Sequence, residues 1–405
     1  MKRRVVVTGM GIVSSIGANL AEVSDSLRHA RSGVSKAEEH EQYKFRSLVH
    51  AYPKVREEDV PDDKVTRFMA DGAMWNYIAL KEAIEDAKLE EKFVSNPRTG
   101  LVMGSGGPPT GVLETVIDTA RARGARRVPV TSVAKSMTST TSANLSVEFK
   151  ILGPSYSISS ACATSAHCIG NGYDFIRSGV QDVMLVGGGE PMHWSTSIMF
   201  DAMGALSSKH NDTPETSSRP FDKTRDGFVI SGGGGALVLE DLEFAKNRGA
   251  RIHAELVGYG ATSDGKDMVQ PSGEGAVRCI KQALEGVEHK LEYINAHATS
   301  TPVGDMRETQ ALREVFGDNI PAVNATKALS GHSLGAAGAH EAIYTLLMMR
   351  DGFLCESAHI QDLDEEFADI PIVRECREVQ INCALSNSFG FGGTNASLTF
   401  ARFQD

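Results

Sequence analysis

A chain of 405 residues is too long for one ordinary hydrophobic core, so two domains or two halves of one large unit are expected. It is 41% hydrophobic, 23% charged and 6% aromatic, as in water-soluble globular enzymes, and its formal net charge of -11 disfavours general nucleic-acid binding because phosphate repels it. No run approaches the ~20 apolar residues of a membrane span, and the six cysteines (162, 168, 279, 355, 376 and 383) lack metal-like pairing, pointing to reduced thiols in a cytoplasmic protein.

The opening Lys2-Arg-Arg-Val-Val-Val imitates a signal peptide, but Gly9 and Gly11 break its apolar run, so a first strand over Arg4–Val7 is expected. Helical periodicity follows over 19–31 and 68–88, then a strand over Gly100–Met103 and helices over 110–123 and 164–179. Strands are expected over Val183–Gly187, Ala236–Glu240 and His253–Val257, then a helix over 272–285. Strands Tyr293–Ala296 and Ala322–Ala325 alternate with helices over 305–316 and 334–350, and Ala396–Phe400 is the last strand. Alternation of this kind predicts α/β architecture.

The two halves echo each other. Each opens with a strand running into a glycine turn, Val5–Ser14 and Ala254–Ser263. Each also carries a strand followed by a helix of small residues, Ser157–Gly170 and Asn324–Gly338. This predicts a duplicated fold divided into residues 1–250 and 251–405, with Cys162 and His332 at matching positions near helix N-termini. Gly in a helix interior costs about 1 kcal/mol relative to Ala. Close approach of two central helices is the reason expected for Gly170, Gly172, Gly335 and Gly338.

Cys162, in Ser-Ser-Ala-Cys-Ala-Thr-Ser, follows an apolar strand and has small neighbours. A thiol at the first turn of a helix meets the positive end of the dipole and unpaired N–H groups, both of which favour thiolate. His297 and His332 also follow short apolar strands, where active-site loops of α/β proteins collect. One Cys with two such histidines is a candidate nucleophilic constellation. Glu341 interrupts a small, apolar helix and needs a partner. Lys327 is the candidate, and a bound monovalent cation near Glu341, Ser386 and Asn387 is the alternative. The stretch Ser386-Asn-Ser-Phe-Gly-Phe-Gly-Gly-Thr-Asn395 crowds turn-forming residues around Phe389 and Phe391. Such a loop can aim backbone N–H groups at an oxyanion while Phe391 lines a channel.

Four stretches together resemble the signatures of the β-ketoacyl-acyl carrier protein synthases, in that family's order. They are Ser-Ala-Cys-Ala-Thr, His-Ala-Thr-Ser-Thr-Pro-Val-Gly-Asp, Lys-Ala-Leu-Ser-Gly-His-Ser-Leu-Gly-Ala-Ala-Gly and Asn-Ser-Phe-Gly-Phe-Gly-Gly-Thr-Asn. Gly-Tyr-Gly-Ala-Thr-Ser-Asp-Gly and Phe-Asp-Ala-Met-Gly-Ala-Leu-Ser are similar to the bacterial type I branch. The resemblance implies the thiolase fold, a five-layered αβαβα sandwich, in a homodimer that elongates fatty acyl chains with malonyl-acyl carrier protein and needs no organic cofactor or catalytic metal. It implies that Cys162 is the acylated nucleophile and that His297 and His332 hold the malonyl thioester carbonyl. Lys327 would support His332, Glu341 would be structural, and the N–H groups of Cys162 and Phe391 would form the oxyanion hole. Thr299, Thr301, Phe389 and Phe391 would contact substrate. The family usually has His-Gly-Thr where this chain has His297-Ala298-Thr299, and an added methyl there requires a backbone without positive φ. Gly107-Pro108-Pro109 and Pro191 depart as well, in regions tied to chain length.

Three other readings are open, the first being a non-catalytic chain-length partner subunit, although such subunits typically lack the nucleophile and Cys162 is present. Gly331-His-Ser-Leu-Gly335 matches the hydrolase elbow G-x-S-x-G, with Ser333 as nucleophile, Asp351, Asp362 or Asp364 as acid, and His359 as a histidine that could follow only Asp351. Gly9-Met-Gly11 is a fragment of a dinucleotide-binding fingerprint, with Ser14 where the third glycine belongs. Finally, Arg121, Arg123, Arg126 and Arg127 crowd one helix end, with Lys64 and Arg67 as a smaller cluster. In an acidic protein these are candidates for docking acidic acyl carrier protein, in its acyl and malonyl forms.

Overall fold

In the computed structural model, which describes residues 2–404, strand Val5–Val13 is buried along its whole length because helices cover both faces. It is the hinge of a ten-stranded sheet. On one side lie Gly233–Asp241, Val183–Glu190, Thr99–Gly104 and Ser155–Tyr156, in that order. On the other lie Ala254–Ser263, Thr394–Ala401, Cys383–Gly390, Tyr293–Asn295 and Ala322–Asn324. Each half repeats one pattern, two antiparallel pairings followed by two parallel ones. The halves join through a short antiparallel pair, Val5 with Leu256 to Val7 with Ala254.

Helices fill the three remaining layers. Thr164–Arg177 and Ala337–Asp351 pack on each other and on both halves of the sheet, forming the central layer. Asp71–Asp86 covers the outside of one half, and Glu274–Ala283 with Pro302–Phe316 covers the other. The five-layered αβαβα sandwich is therefore present. Ala337–Asp351 is buried on every side through Met349, as a helix apolar all round must be.

The expected strands and helices are all found, with ends shifted by a few residues. The stretch 386–395 is the main difference. It is a strand, Cys383–Gly390, a tight turn containing Gly392 (φ 83) and Gly393 (φ 70), and the start of the last strand. Helices Thr140–Glu148 and Trp194–Met203 carry no clear periodicity in the sequence and are additional.

Glycine placement corrects two readings. Gly9 and Gly11 lie within the first strand, where a Cβ would collide with the carbonyls of Ala83 and Ala79 on helix Asp71–Asp86, so they serve strand–helix packing and not a phosphate turn. Of the four glycines assigned to helix–helix contact, Gly338 makes it: a Cβ there would lie 2.6 Å from the Ala166 nitrogen on the facing helix. Gly170 and Gly172 meet Tyr259 and Val186 of the sheet, and Gly335 meets Gly106. Gly338→Ala should therefore push the two central helices apart and cost about 1–3 kcal/mol, as overpacking does. In urea unfolding the midpoint should fall with an unchanged slope; an unchanged midpoint would contradict the contact.

Candidate active site

The two halves meet at a cavity of about 250 Å³. Cys162 enters from one half. Thr164 shapes its turn, accepting a hydrogen bond from the Ser160 N–H at 2.8 Å and donating to the Ala161 carbonyl at 2.7 Å. Ala161 is held at φ 48, a conformation non-glycine residues rarely adopt, immediately before the thiol and ahead of helix Thr164–Arg177. His332 enters from the other half. Its N–H donates to the Val229 carbonyl at 2.8 Å and its carbonyl accepts from the Ser231 N–H at 3.0 Å, which fixes it against the first half. His297 follows strand Tyr293–Asn295, and its N–H donates to Glu308 at 2.9 Å.

The reactive atoms converge. Cys162 Sγ and a ring nitrogen of each histidine all lie within 4.8 Å of one another. His332 Nε2 is 3.0 Å from Cys162 Sγ, and the two imidazole rings are edge-to-face at 5.2 Å. Thr299, Thr301, Phe389 and Phe391 line the same cavity, with Phe200 and Phe228. Phe391 is 38% exposed, so it stands at the mouth. The turn it begins passes close to the nucleophile: a Cβ on Gly390 would lie 3.1 Å from the Cys162 nitrogen. Cys168 is wholly buried and out of reach.

Lys327 and Glu341 form a buried ion pair, which leaves Glu341 off the solvent face. The Lys327 ammonium also donates to His297 Nδ1 at 3.4 Å. This corrects the pairing expected from sequence, since Lys327 bonds to His297 and not to His332. Burial, helped by the Lys327 charge, holds both histidines well below their usual range, so both are neutral. With Nδ1 accepting from Lys327, His297 carries its proton on Nε2. Burial also pushes the Cys162 thiol up to about 12, with Lys327 opposing. Burial thus opposes the thiolate that the helix N-terminus favours, and the Lys327 charge offsets part of that cost.

Two carboxylates of this site were not singled out in the sequence. Glu308 accepts from the N–H groups of His297 and Ala298 and from the Asn387 amide, at 2.8–3.0 Å. Glu190 accepts from the N–H groups of Gly106 and Gly335 at 2.7 and 2.8 Å, tying the two halves together beside Cys162, and burial raises it to about 7. Their signal was present, an acid ending an all-apolar strand in one case and one on a helix facing the core in the other. Ala298 is buried and outside the positive-φ set, so its methyl is accommodated; the positive φ falls at Ser300.

The hydrolase reading fails on geometry. Ser333 is buried, its hydroxyl bonds His340 Nδ1 at 3.0 Å, and it lines no part of the cavity. Asp351 pairs with Arg350, and His359 bonds the Ser218 carbonyl. Lys64, Arg67, Arg121, Arg123, Arg126 and Arg127 are all exposed and none lines the cavity.

Residues 2–245 match the beta-ketoacyl synthase N-terminal domain and residues 253–361 the C-terminal domain. The chain is 53% identical over 405 residues to 3-oxoacyl-[acyl-carrier-protein] synthase 1 of Escherichia coli, covering all of both proteins. It is 52% identical over 403 residues to the protein of that name from Haemophilus influenzae, covering 99% of each. Among solved structures, a beta-ketoacyl synthase from Burkholderia phymatum superposes over the full length of both chains with a TM-score of 0.93 at 34% identity. A type II PKS ketosynthase in complex with its acyl-carrier protein does so at 0.90 and 28%. With its fold, its converged Cys and His side chains and both domains matched, this chain belongs to the beta-ketoacyl synthase family.

Proposed function

We propose that the protein is a 3-oxoacyl-acyl carrier protein synthase, an acyltransferase that lengthens fatty acyl chains by decarboxylative Claisen condensation. The observation that carries this reading is the convergence of one thiol and two neutral imidazoles on an apolar cavity. In the first step Cys162 Sγ attacks the acyl thioester. The C–S bond to the carrier breaks, a bond to Sγ forms, and the thiol proton goes to the departing sulfur, with His332 Nε2 3.0 Å from Sγ. In the second step malonyl-carrier thioester loses CO₂, and the electron pair moves onto the thioester oxygen as an enolate. His297 Nε2–H and the Nε2–H tautomer of His332 donate to that oxygen, which is electrostatic stabilisation without a metal. The enolate carbon then attacks acyl-Cys162. N–H groups of Cys162 and Phe391 would hold the oxyanion, and collapse releases 3-oxoacyl-carrier protein and the Cys162 thiolate, which takes a proton from water to restore the thiol.

Lys327 acts through His297, fixing its tautomer, and Glu341 balances the Lys327 charge. Thr299, Thr301 and Phe389 would contact the pantetheine arm and Phe391 would gate the mouth. No organic cofactor is invoked. A structural monovalent cation near Glu341 and Ser386 is supported by Glu341 Oε2 and Ser386 Oγ, buried oxygens without hydrogen-bond partners, whereas Asn387 is already paired to Glu308 and Ser397. Acyl carrier protein is the proposed partner, docked on Lys64, Arg67, Arg123, Arg126 and Arg127. A homodimer is supported by the exposed Val130, Val133 and Val147 and by the edge strand Ser155–Tyr156. Six free cysteines support a reducing, cytoplasmic location. The halves 1–250 and 251–405 are proposed to contribute nucleophile and histidines respectively.

Two measurements test these roles. Cys162→Ala should abolish self-acylation. His297→Ala should retain self-acylation but lose about 10²–10³-fold in CO₂ release, the usual loss for one oxyanion donor. Equal losses in both steps for His297→Ala would contradict the assignment. Charge reversal at Arg126 and Arg127 should weaken reaction with carrier-bound substrates, most at low salt, and leave small pantetheine thioesters unaffected. Equal losses with both substrate types would remove the docking claim.

A further inference from the structure

The loop that backs the strand leading to Lys327 has a cysteine at each end. Strand Ala322–Asn324 is the last of the second half and runs into the short helix that Lys327 opens. The chain between Cys355 and Cys376 lies along it. The Val373 N–H donates to the Val323 carbonyl at 2.8 Å, and the Val323 N–H donates to the Pro371 carbonyl at 3.0 Å. Ser357 Oγ accepts from the Ala325 N–H at 2.9 Å. Asn324 Nδ2 donates to the Cys355 carbonyl at 2.9 Å and to its sulfur at 3.0 Å.

At the neck of this loop the chain forms a two-stranded antiparallel ribbon, Phe353–Leu354 with Arg377–Glu378. Phe353 is opposite Glu378 and Leu354 is opposite Arg377, so the next pair in the register is Cys355 with Cys376. The Val379 N–H donates to the Gly352 carbonyl at 3.0 Å, which makes those two a hydrogen-bonded pair; by alternation Cys355 and Cys376 are a non-hydrogen-bonded one. The Cys355 backbone agrees, since its N–H goes to Met348 Sδ at 3.4 Å and its carbonyl to Asn324. Opposed Cα atoms in such pairs are about 4.5 Å apart with side chains on the same face, within the roughly 4.4–6.8 Å that a disulfide spans.

The two thiols differ. Cys355 is buried in the core and Cys376 is half-buried, packed against the apolar cluster that contains Cys355. Because side chains alternate along a strand, Cys376 shares its face with Phe353 and Glu378. Arg28 covers that face: its guanidinium lies 4.3 Å from the centre of the Phe353 ring and pairs with Glu378. Burial raises both thiols, and at Cys376 the Arg28 charge opposes it. A half-exposed cysteine beside a cation is the one an oxidant meets first.

We propose that Cys355 and Cys376 are a reversible redox clasp, which closes to a disulfide under hydrogen peroxide and locks the loop onto the strand leading to Lys327. The Cys376 thiolate attacks one peroxide oxygen, the O–O bond breaks, and the other oxygen leaves as water, so that Cys376 becomes a sulfenic acid. The Cys355 sulfur then attacks the sulfenic sulfur, the S–S bond forms, and the hydroxyl leaves with the Cys355 proton as a second water. Two thiols lose two electrons in all, and one peroxide is reduced to two waters. Turning Cys355 Sγ toward Cys376 does not strand Asn324, which keeps the Cys355 carbonyl. The cross-link removes open conformations of the loop. In a reducing compartment a small dithiol opens it again.

The test treats the full-length chain with hydrogen peroxide, blocks free thiols with iodoacetamide under denaturing conditions and maps the peptides by mass spectrometry. Linked peptides carrying Cys355 and Cys376 are expected, separated by dithiothreitol and absent from Cys376→Ser. Amide hydrogen exchange of segment 322–326 should slow about tenfold in the oxidised chain, and peroxide should not change it in Cys376→Ser. Alkylated Cys355 after peroxide, sulfinic acid on Cys376 without the link, or a bond between Cys376 of two copies would overturn the proposal. A closed bond with unchanged exchange would overturn it too, because the loop would then not be locked.

Discussion

The site depends on one buried charge. Lys327 and Glu341 are each 2% exposed, and an ion taken that far out of water is tolerable only with its partner in place. Glu341 sits on the central helix Ala337–Asp351, and Lys327 opens the short helix that follows strand Ala322–Asn324. The pair thus joins the core of the fold to the catalytic pocket. From that position the ammonium bonds His297 Nδ1, keeps a proton off both histidines and offsets part of the burial cost of a Cys162 thiolate. Glu341 itself is raised to about 7 by burial against the pull of Lys327.

The duplicated sheet explains why the groups meet. Cys162 and His332 each precede a helix of the central layer, one in each half, and those helices touch through Gly338 and Ala166. Glu190 then crosses from the first half to the Gly335 N–H of the second. Glu308 performs the matching task under His297, holding two successive N–H groups and the Asn387 amide. Carboxylates used in this way cost stability through burial, and their hydrogen bonds to backbone fix the geometry that catalysis requires.

Much of this was legible in the residues. Apolar runs marked the strands, small residues marked the central helices, and strand-end positions marked Cys162, His297 and His332. The less legible parts share a cause, which is polar side chains buried in the centre. Ser386, Asn387 and Ser388 read as a loop because a strand of such residues is unfavourable unless its neighbours satisfy it. Here Glu308 on the covering helix and Ser397 on the paired strand bond Asn387, while the Ser386 and Ser388 hydroxyls are buried without partners. Glu190 is a single acid ending an apolar strand, and Glu308 is one charged residue among several on its helix, so neither stands out by pattern alone. At Cys162 a sequence shows the nearby helix N-terminus but not the depth of the cavity, whose burial opposes the thiolate.

The central claim is that buried, Lys327-biased histidines are neutral donors. Their folded pKa values lie below the ~6.5 of an unfolded histidine, so acidification below about 6.5 protonates the unfolded chain first and this contribution to stability falls with pH. Nitrogen-15 NMR of histidine-labelled protein between pH 5 and 8 reads the state directly. His297 should remain neutral throughout with its proton on Nε2, and His332 should remain neutral with it. Titration of either ring near 6.5, or a proton on Nδ1 of His297, would contradict the role given to Lys327.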